Sequence, residues 1–293
     1  MIDKDTNPFP GLRPFQTDEY RFFFGRGAAS QELLTRLQHS RFLAIMGAAG
    51  SGKSSLIQAG LIPALRGGML AGAGAGWRIV ITRPGDDPIS NLAGKLVKKR
   101  MISEGTASLN VDENAAVIEA MLRAGSLGLV DVVRQARLTD QTKVLVVVDQ
   151  FEELFVAPTA RKSGSPTDEA SAFVKLLLEA AHQADVIIYV VIVMRSEFLG
   201  DCTQFEQLPE AINEGEYLLP RLTRDQRRLA ITGPIGVMRG KISEVLVTRL
   251  LNEVEGKPNQ LALLQQALVR TWEYWRTHHG DGEPIGIEHY EAI

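Results

Sequence analysis

Residues 47 to 54 read Gly47-Ala48-Ala49-Gly50-Ser51-Gly52-Lys53-Ser54, a complete match to the pattern G-x-x-x-x-G-K-S/T, and no other stretch restricts the fold as strongly. The loop lies between a short apolar run, Arg41 to Met46, and a segment of helical character, Lys53 to Leu65. Glycine allows backbone conformations in which successive N–H groups point at phosphate oxygens, and a helix N-terminus adds a favourable dipole. Gly47, Gly50, Ser51 and Gly52 therefore form a phosphate cradle, with Ser55 directly behind it. Lys53 reaches the β- and γ-phosphates, and Ser54 offers its hydroxyl to Mg²⁺. From average residue usage the bare pattern arises by chance in roughly one chain of this length in a hundred, and the strand-loop-helix setting makes accident rarer still.

A phosphate loop needs a carboxylate for the metal at the end of a nearby apolar strand, and Val144-Leu145-Val146-Val147-Val148-Asp149 supplies one. Asp149 is the expected metal ligand, direct or through water. An acid just beyond it can polarise the attacking water, so Glu152 and Glu153 compete for the role of general base. The run Val186 to Met194 ends in Arg195, a cation placed to sense a γ-phosphate or to form an ion pair at the strand end.

Strands apolar on both faces belong to a parallel sheet sandwiched by helices. Trp77 to Thr82 is a further strand, and Ala29 to Ser40 and Ala170 to Ala184 are helical in pattern. Gly67 to Gly76 is too rich in glycine to be anything but a connection. From Thr223 onward strand signals vanish, and Asp225 to Thr232, Ser243 to Glu255 and Asn259 to Trp275 read as helices. The expected fold is thus α/β: a P-loop nucleoside triphosphatase sheet flanked by helices over 29–222, a smaller helical subdomain over 223–293, and a leading segment over 1–28.

The 293 residues carry 32 basic and 35 acidic side chains without a block of either sign, so no footprint for nucleic acid or an anionic membrane is visible. Cys202, the single cysteine, excludes a disulfide framework and suits a reducing cytoplasm. The prolines and charges of the first fifteen residues do not fit an export signal. Val186 to Met194, the longest apolar run, falls well short of the roughly 20 residues a membrane helix requires. His39, His182, His278, His279 and His289 lack metal-ligand spacing and read as surface or helix-cap residues.

The order of segments resembles the STAND class of signalling nucleoside triphosphatases, specifically the novel STAND group of bacterial multidomain proteins. The likeness runs through PFPGLRPFQTDEYRFFFGR, GAAGSGKSSLIQAGLIPAL, WRIVITRPGDDP, VLVVVDQFEELF, VIVMRSEFL and EGKPNQLALLQQALVRTWEYW. It implies that Phe24-Gly25-Arg26 lies on the adenine-ribose side, with Gly27 standing where the class has an acid. It also implies that Pro258, in Gly256-Lys257-Pro258, packs against the nucleotide, and that Glu153 is the catalytic member of its acid pair. In the family a winged helix, repeats and sometimes an effector follow, and this chain ends at EHYEAI, about where the winged helix is expected to begin.

The implied function is an ATP-binding, slowly ATP-hydrolysing conformational switch in signalling or defence. ATP or ADP with Mg²⁺ would be its ligands, and it would self-associate in the ATP state. A nucleotide-binding module without turnover and another P-loop enzyme, such as a kinase, are the alternatives.

Overall fold

The computed structural model describes residues 6–99, 111–136, 138, 142–156, 168–257, 259–278 and 282–293. Pro258 and His279 lie outside them. The chain divides into two compact units, one made of Met1–Glu32, Ala49–Ala64 and Leu219–Ile293, the other of Leu33–Ala48 and Leu65–Leu218.

Among the described residues, the second unit holds a parallel five-stranded sheet in the order β2-β3-β4-β1-β5. The strands are β1 (Phe42–Gly47), β2 (Trp77–Thr82), β3 (Lys143–Asp149), β4 (Ile188–Arg195) and β5 (Glu216–Leu218). Every residue of β1 and β3 is buried, which explains the unbroken apolar runs 42–46 and 144–148 within them. Alternate positions, Ala44 and Met46, Val144, Val146 and Val148, Val190 and Ile192, enter one core with Leu92, Leu96, Phe173 and Leu177 from flanking helices. Each fully buried leucine of this set contributes about 1.5–3 kcal/mol to stability.

The short strand β5 was not foreseen, because three residues, two of them exposed, leave no apolar period to read. It forms by pairing with β1. The Arg36 guanidinium, on the helix Gly27–His39, donates to the Glu216 carbonyl and lies 5.5 Å from the centre of the Tyr217 ring. The glycine-rich connection 67–76 is a series of turns in which Leu70 and Ala73 are buried, and Trp77 Nε1 donates to the Gly74 carbonyl at 3.1 Å.

In the first unit, α-helices Arg224–Val237, Glu244–Val254 and Gln260–His278 surround a core of Ile231, Leu246, Leu250, Leu264, Leu268 and Trp272. Phe9, close to the start of the chain, joins this core with its ring edge-to-face on Trp272. Thr223 and Gln226 form a reciprocal capping box at the first of these helices, and Ser243 caps the second. The first helix runs past the sequence limit of Thr232 through Gly233 and Pro234. Burial of Ile231, Pro234 and Ile235 outweighs the hydrogen bond that proline cannot make.

The segment after the phosphate loop is helical throughout but not uniform. Lys53–Ser55 and Ile62–Arg66 are α-helical, whereas Leu56–Leu61 is a π turn. Gly60, inside that turn, lies against Ser30 and Phe23, and Phe15, Phe22 and Ala59 pack together there. Helical periodicity alone does not register one extra residue per turn.

No helix among the described residues is long and apolar enough to cross a membrane. Cys202 is a core residue, and burial pushes its thiol up to about 12, so it is an inert thiol at neutral pH.

Candidate functional site

In the sheet unit the strand ends collect the predicted carboxylates and cation. Parallel register sets Gly47, the first residue of the loop motif, beside Arg195, and Asp149 beside Val193. The C-terminal edge of a parallel sheet is where ligands of α/β proteins bind.

Asp149 is buried at the end of β3, and its Oδ1 accepts the N–H of Gln150 at 3.1 Å. Gln150 has φ +58°, a left-handed conformation uncommon outside glycine and costly enough to mark a constrained turn. That turn drives Phe151 into the core, where its N–H extends the ladder to the Val193 carbonyl at 2.9 Å, and Glu152 and Glu153 follow directly.

The two glutamates have different surroundings. Glu152 is buried, with Oε1 3.3 Å from Arg195 Nε, while its buried Oε2 has no hydrogen-bond partner among the described residues. Glu153 Oε2 accepts the N–H of Gly85 at 2.9 Å. Arg195 also pairs with Glu197 at 3.2 Å, so it stands between two acids at the end of β4. Arg83, one residue past β2, brings its Nη2 to 4.0 Å from Asp149 Oδ2. The sequence reading passed over Arg83, although a cation directly after an apolar strand is the same signal that singled out Arg195.

The remaining predicted residues belong to the other unit. Gly50 and Gly52 have φ of +68° and +89°, a backbone region that glycine adopts without strain. A side chain on Gly50 would meet Asn259 Oδ1 at 3.3 Å, and one on Gly52 would meet Leu261 Cδ1 at 3.5 Å. The helical part thus touches the loop directly through Asn259, itself at φ +59°. Asn259 escaped notice because nothing in its local pattern announces a contact some two hundred residues away. The Ser51 hydroxyl is buried without a hydrogen-bond partner among the described residues, and Ser55 Oγ accepts the N–H of Phe15 at 3.2 Å.

Phe24, Gly25 and Arg26 are held as a group. The Phe24 ring occupies the space that a side chain on Gly233 would need, with ring carbons 2.4 to 2.7 Å from that position. Gly25, at φ +83°, leaves only 2.5 Å between its absent Cβ and the Gln226 carbonyl oxygen, so no other residue fits. The buried Arg26 guanidinium donates to two main-chain carbonyls, Pro220 at 2.7 Å and Ser51 at 2.9 Å.

A carboxylate oxygen such as that of Asp149 suits a hard divalent cation. The 4.0 Å approach of Arg83 to Asp149 already marks the carboxylate as one that attracts positive charge.

A family model described as Novel STAND NTPase 1 matches residues 8–293. Among solved structures the chain is similar to the ORC2 protein of Aeropyrum pernix in its ADP form, with TM-score 0.58, 15% identity, and 99% of this chain and 70% of that chain covered. It is similar to domain III of the replication initiation protein DnaA of Thermotoga maritima, with TM-score 0.51, 14% identity, and 96% and 97% covered. A chain of the E. coli MS115-1 HORMA:CdnC:Trip13 complex matches with TM-score 0.52, 12% identity, and 96% and 93% covered. At these identities the likeness is one of fold. No curated protein matches the sequence.

Proposed function

The chain belongs to the Novel STAND NTPase 1 family, and from that premise we propose that it is an ATP-binding conformational switch that hydrolyses its nucleotide slowly. The observation that carries this reading is the direct contact of the phosphate loop with the helical part, through Asn259 at Gly50, Leu261 at Gly52, and Arg26 between Ser51 and Pro220. A loop gripped in this way conveys a change in its bound phosphates to the helices, and a ligand shifts such an equilibrium only through differential affinity for its states.

Lys53 would neutralise the β- and γ-phosphates, and Ser54 and Asp149 are the residues that would serve Mg²⁺, which would supply charge neutralisation on the phosphate oxygens. Arg195 senses the γ-phosphate. Gly47, Gly50, Ser51, Gly52 and Ser55 build the cradle, and Phe24 and Gly25 border the base. Glu153, whose Oε2 accepts from Gly85, or Glu152, whose Oε1 lies beside Arg195, takes the proton of the attacking water. Self-association in the ATP state, a role in signalling and a cytoplasmic setting complete the proposal, the last resting on a lone, buried cysteine.

The test compares ADP with a non-hydrolysable ATP analogue. Distinct limited-proteolysis patterns around residues 220–223, with free phosphate released slowly from ATP, are the expected results. Identical patterns in the two nucleotides would remove the case for a switch within this chain. Binding without any phosphate release would reduce the protein to a nucleotide-binding module.

A further inference from the structure

The resemblance assigned Arg26 to the adenine-ribose side, yet its guanidinium is spent on the backbone. The Ser30 N–H and hydroxyl both bond to the Arg26 carbonyl, at 2.9 and 3.2 Å, which fixes its main chain at the start of the helix Gly27–His39. From there the side chain, 5% exposed, sends Nη2 to the Ser51 carbonyl and Nη1 to the Pro220 carbonyl.

We propose that Arg26 is a positioning residue of the phosphate loop, orienting the Ser51–Gly52 peptide so that its N–H faces the phosphates and coupling that peptide to the segment that enters the helical part. The inference rests on the phosphate-loop reading above and deepens it. Its physical basis is the planarity of the peptide bond: in a trans peptide the C=O of one residue and the N–H of the next point in opposite directions. Drawing the Ser51 oxygen towards Arg26 therefore turns the Gly52 N–H away from Arg26. Without this tie the peptide could rotate, because Gly52 is free to adopt either sign of φ, and a carbonyl oxygen turned into the cradle would repel phosphate.

The second bond gives the tie a direction of influence. Pro220 precedes Thr223, the cap of the helix Arg224–Val237. One guanidinium thus holds the phosphate loop and the approach to that helix together. Arginine suits the task because its planar fork meets two acceptors at once, whereas lysine presents a single ammonium on a flexible stem.

The test is calorimetry with tripolyphosphate, MgATP and MgADP on the full chain and on Arg26→Lys, Arg26→Gln and Lys53→Ala. Tripolyphosphate has no base or sugar, so it reads the cradle alone. The expected result is that Arg26→Lys and Arg26→Gln weaken tripolyphosphate, ATP and ADP alike, by about tenfold or more. Loss of ATP and ADP affinity with tripolyphosphate binding intact would overturn the inference and return Arg26 to the nucleoside side, and wild-type affinity for all three ligands would overturn it outright. Lys53→Ala separates this proposal from its premise. If that variant still binds tripolyphosphate as the wild type does, the loop reading fails. If it does not, the loop reading stands and Arg26 is judged on its own two variants, whose nucleotide-free melting curves confirm that they fold.

Discussion

Replacing Lys53 by alanine removes the one ammonium of the loop motif, and a charge-assisted contact to phosphate has no neutral substitute. ATP affinity measured by calorimetry should fall by about a hundredfold or more; unchanged affinity would sink the site assignment. Asp149→Asn should weaken binding only where Mg²⁺ is present. The two glutamates are separable because glutamine at 153 keeps an acceptor for the Gly85 N–H and so preserves the loop after β2. Glu153→Gln is therefore expected to bind ATP normally and to lose hydrolysis by about two orders of magnitude. Normal phosphate release in that variant, with loss in Glu152→Gln, would make Glu152 the base and Glu153 an anchor.

The helix Arg224–Val237 and the segment that presents Phe24 depend on each other through Gly233. A methyl group there would overlap the Phe24 ring, so Gly233→Ala should cost about 1–3 kcal/mol in a urea titration, the usual result of overpacking. Wild-type stability would mean that Phe24 is free to leave its seat. At the other end of the same unit, the Tyr290 hydroxyl donates to Glu253, tying the short helix Ile287–Glu291 to Glu244–Val254. That bond, and Arg249 beside it, holds the Glu253 carboxyl below its ordinary value, whereas burial and the carboxylate push Tyr290 up to about 12. A depressed acid stabilises the fold above the unfolded value of about 4.3 and loses that contribution as pH falls through its folded one; a raised tyrosine stabilises below about 10 and loses it as pH climbs towards 12. Denaturation measured against pH should show both limbs flattened in Tyr290→Phe, and unaltered limbs would show that the pair does not contribute.

For the molecule as a whole, a ligand that binds only the folded chain raises its stability by about 2.7 kcal/mol at a hundred times its dissociation constant. With no guanine-reading motif in the sequence, ATP and ADP should raise the melting temperature more than GTP does, and equal shifts would contradict an adenine preference. Residues Gly47 to Ser54 determined the class of fold by themselves, because a loop of that composition between strand and helix has few other uses, and Val144 to Asp149 placed a carboxylate at the end of a buried strand by the same local logic. The buried strands were legible for a related reason: a strand covered on both faces has to be apolar through its middle, as 144–148 is. The fork of Arg26, the seat of Phe24 on Gly233, the edge strand at Glu216 and the approach of Arg83 to Asp149 were decided only in the tertiary structure. Each joins residues far apart in the chain through a single side chain or a short pairing, and such contacts leave no period, composition or spacing in the sequence for local reasoning to detect.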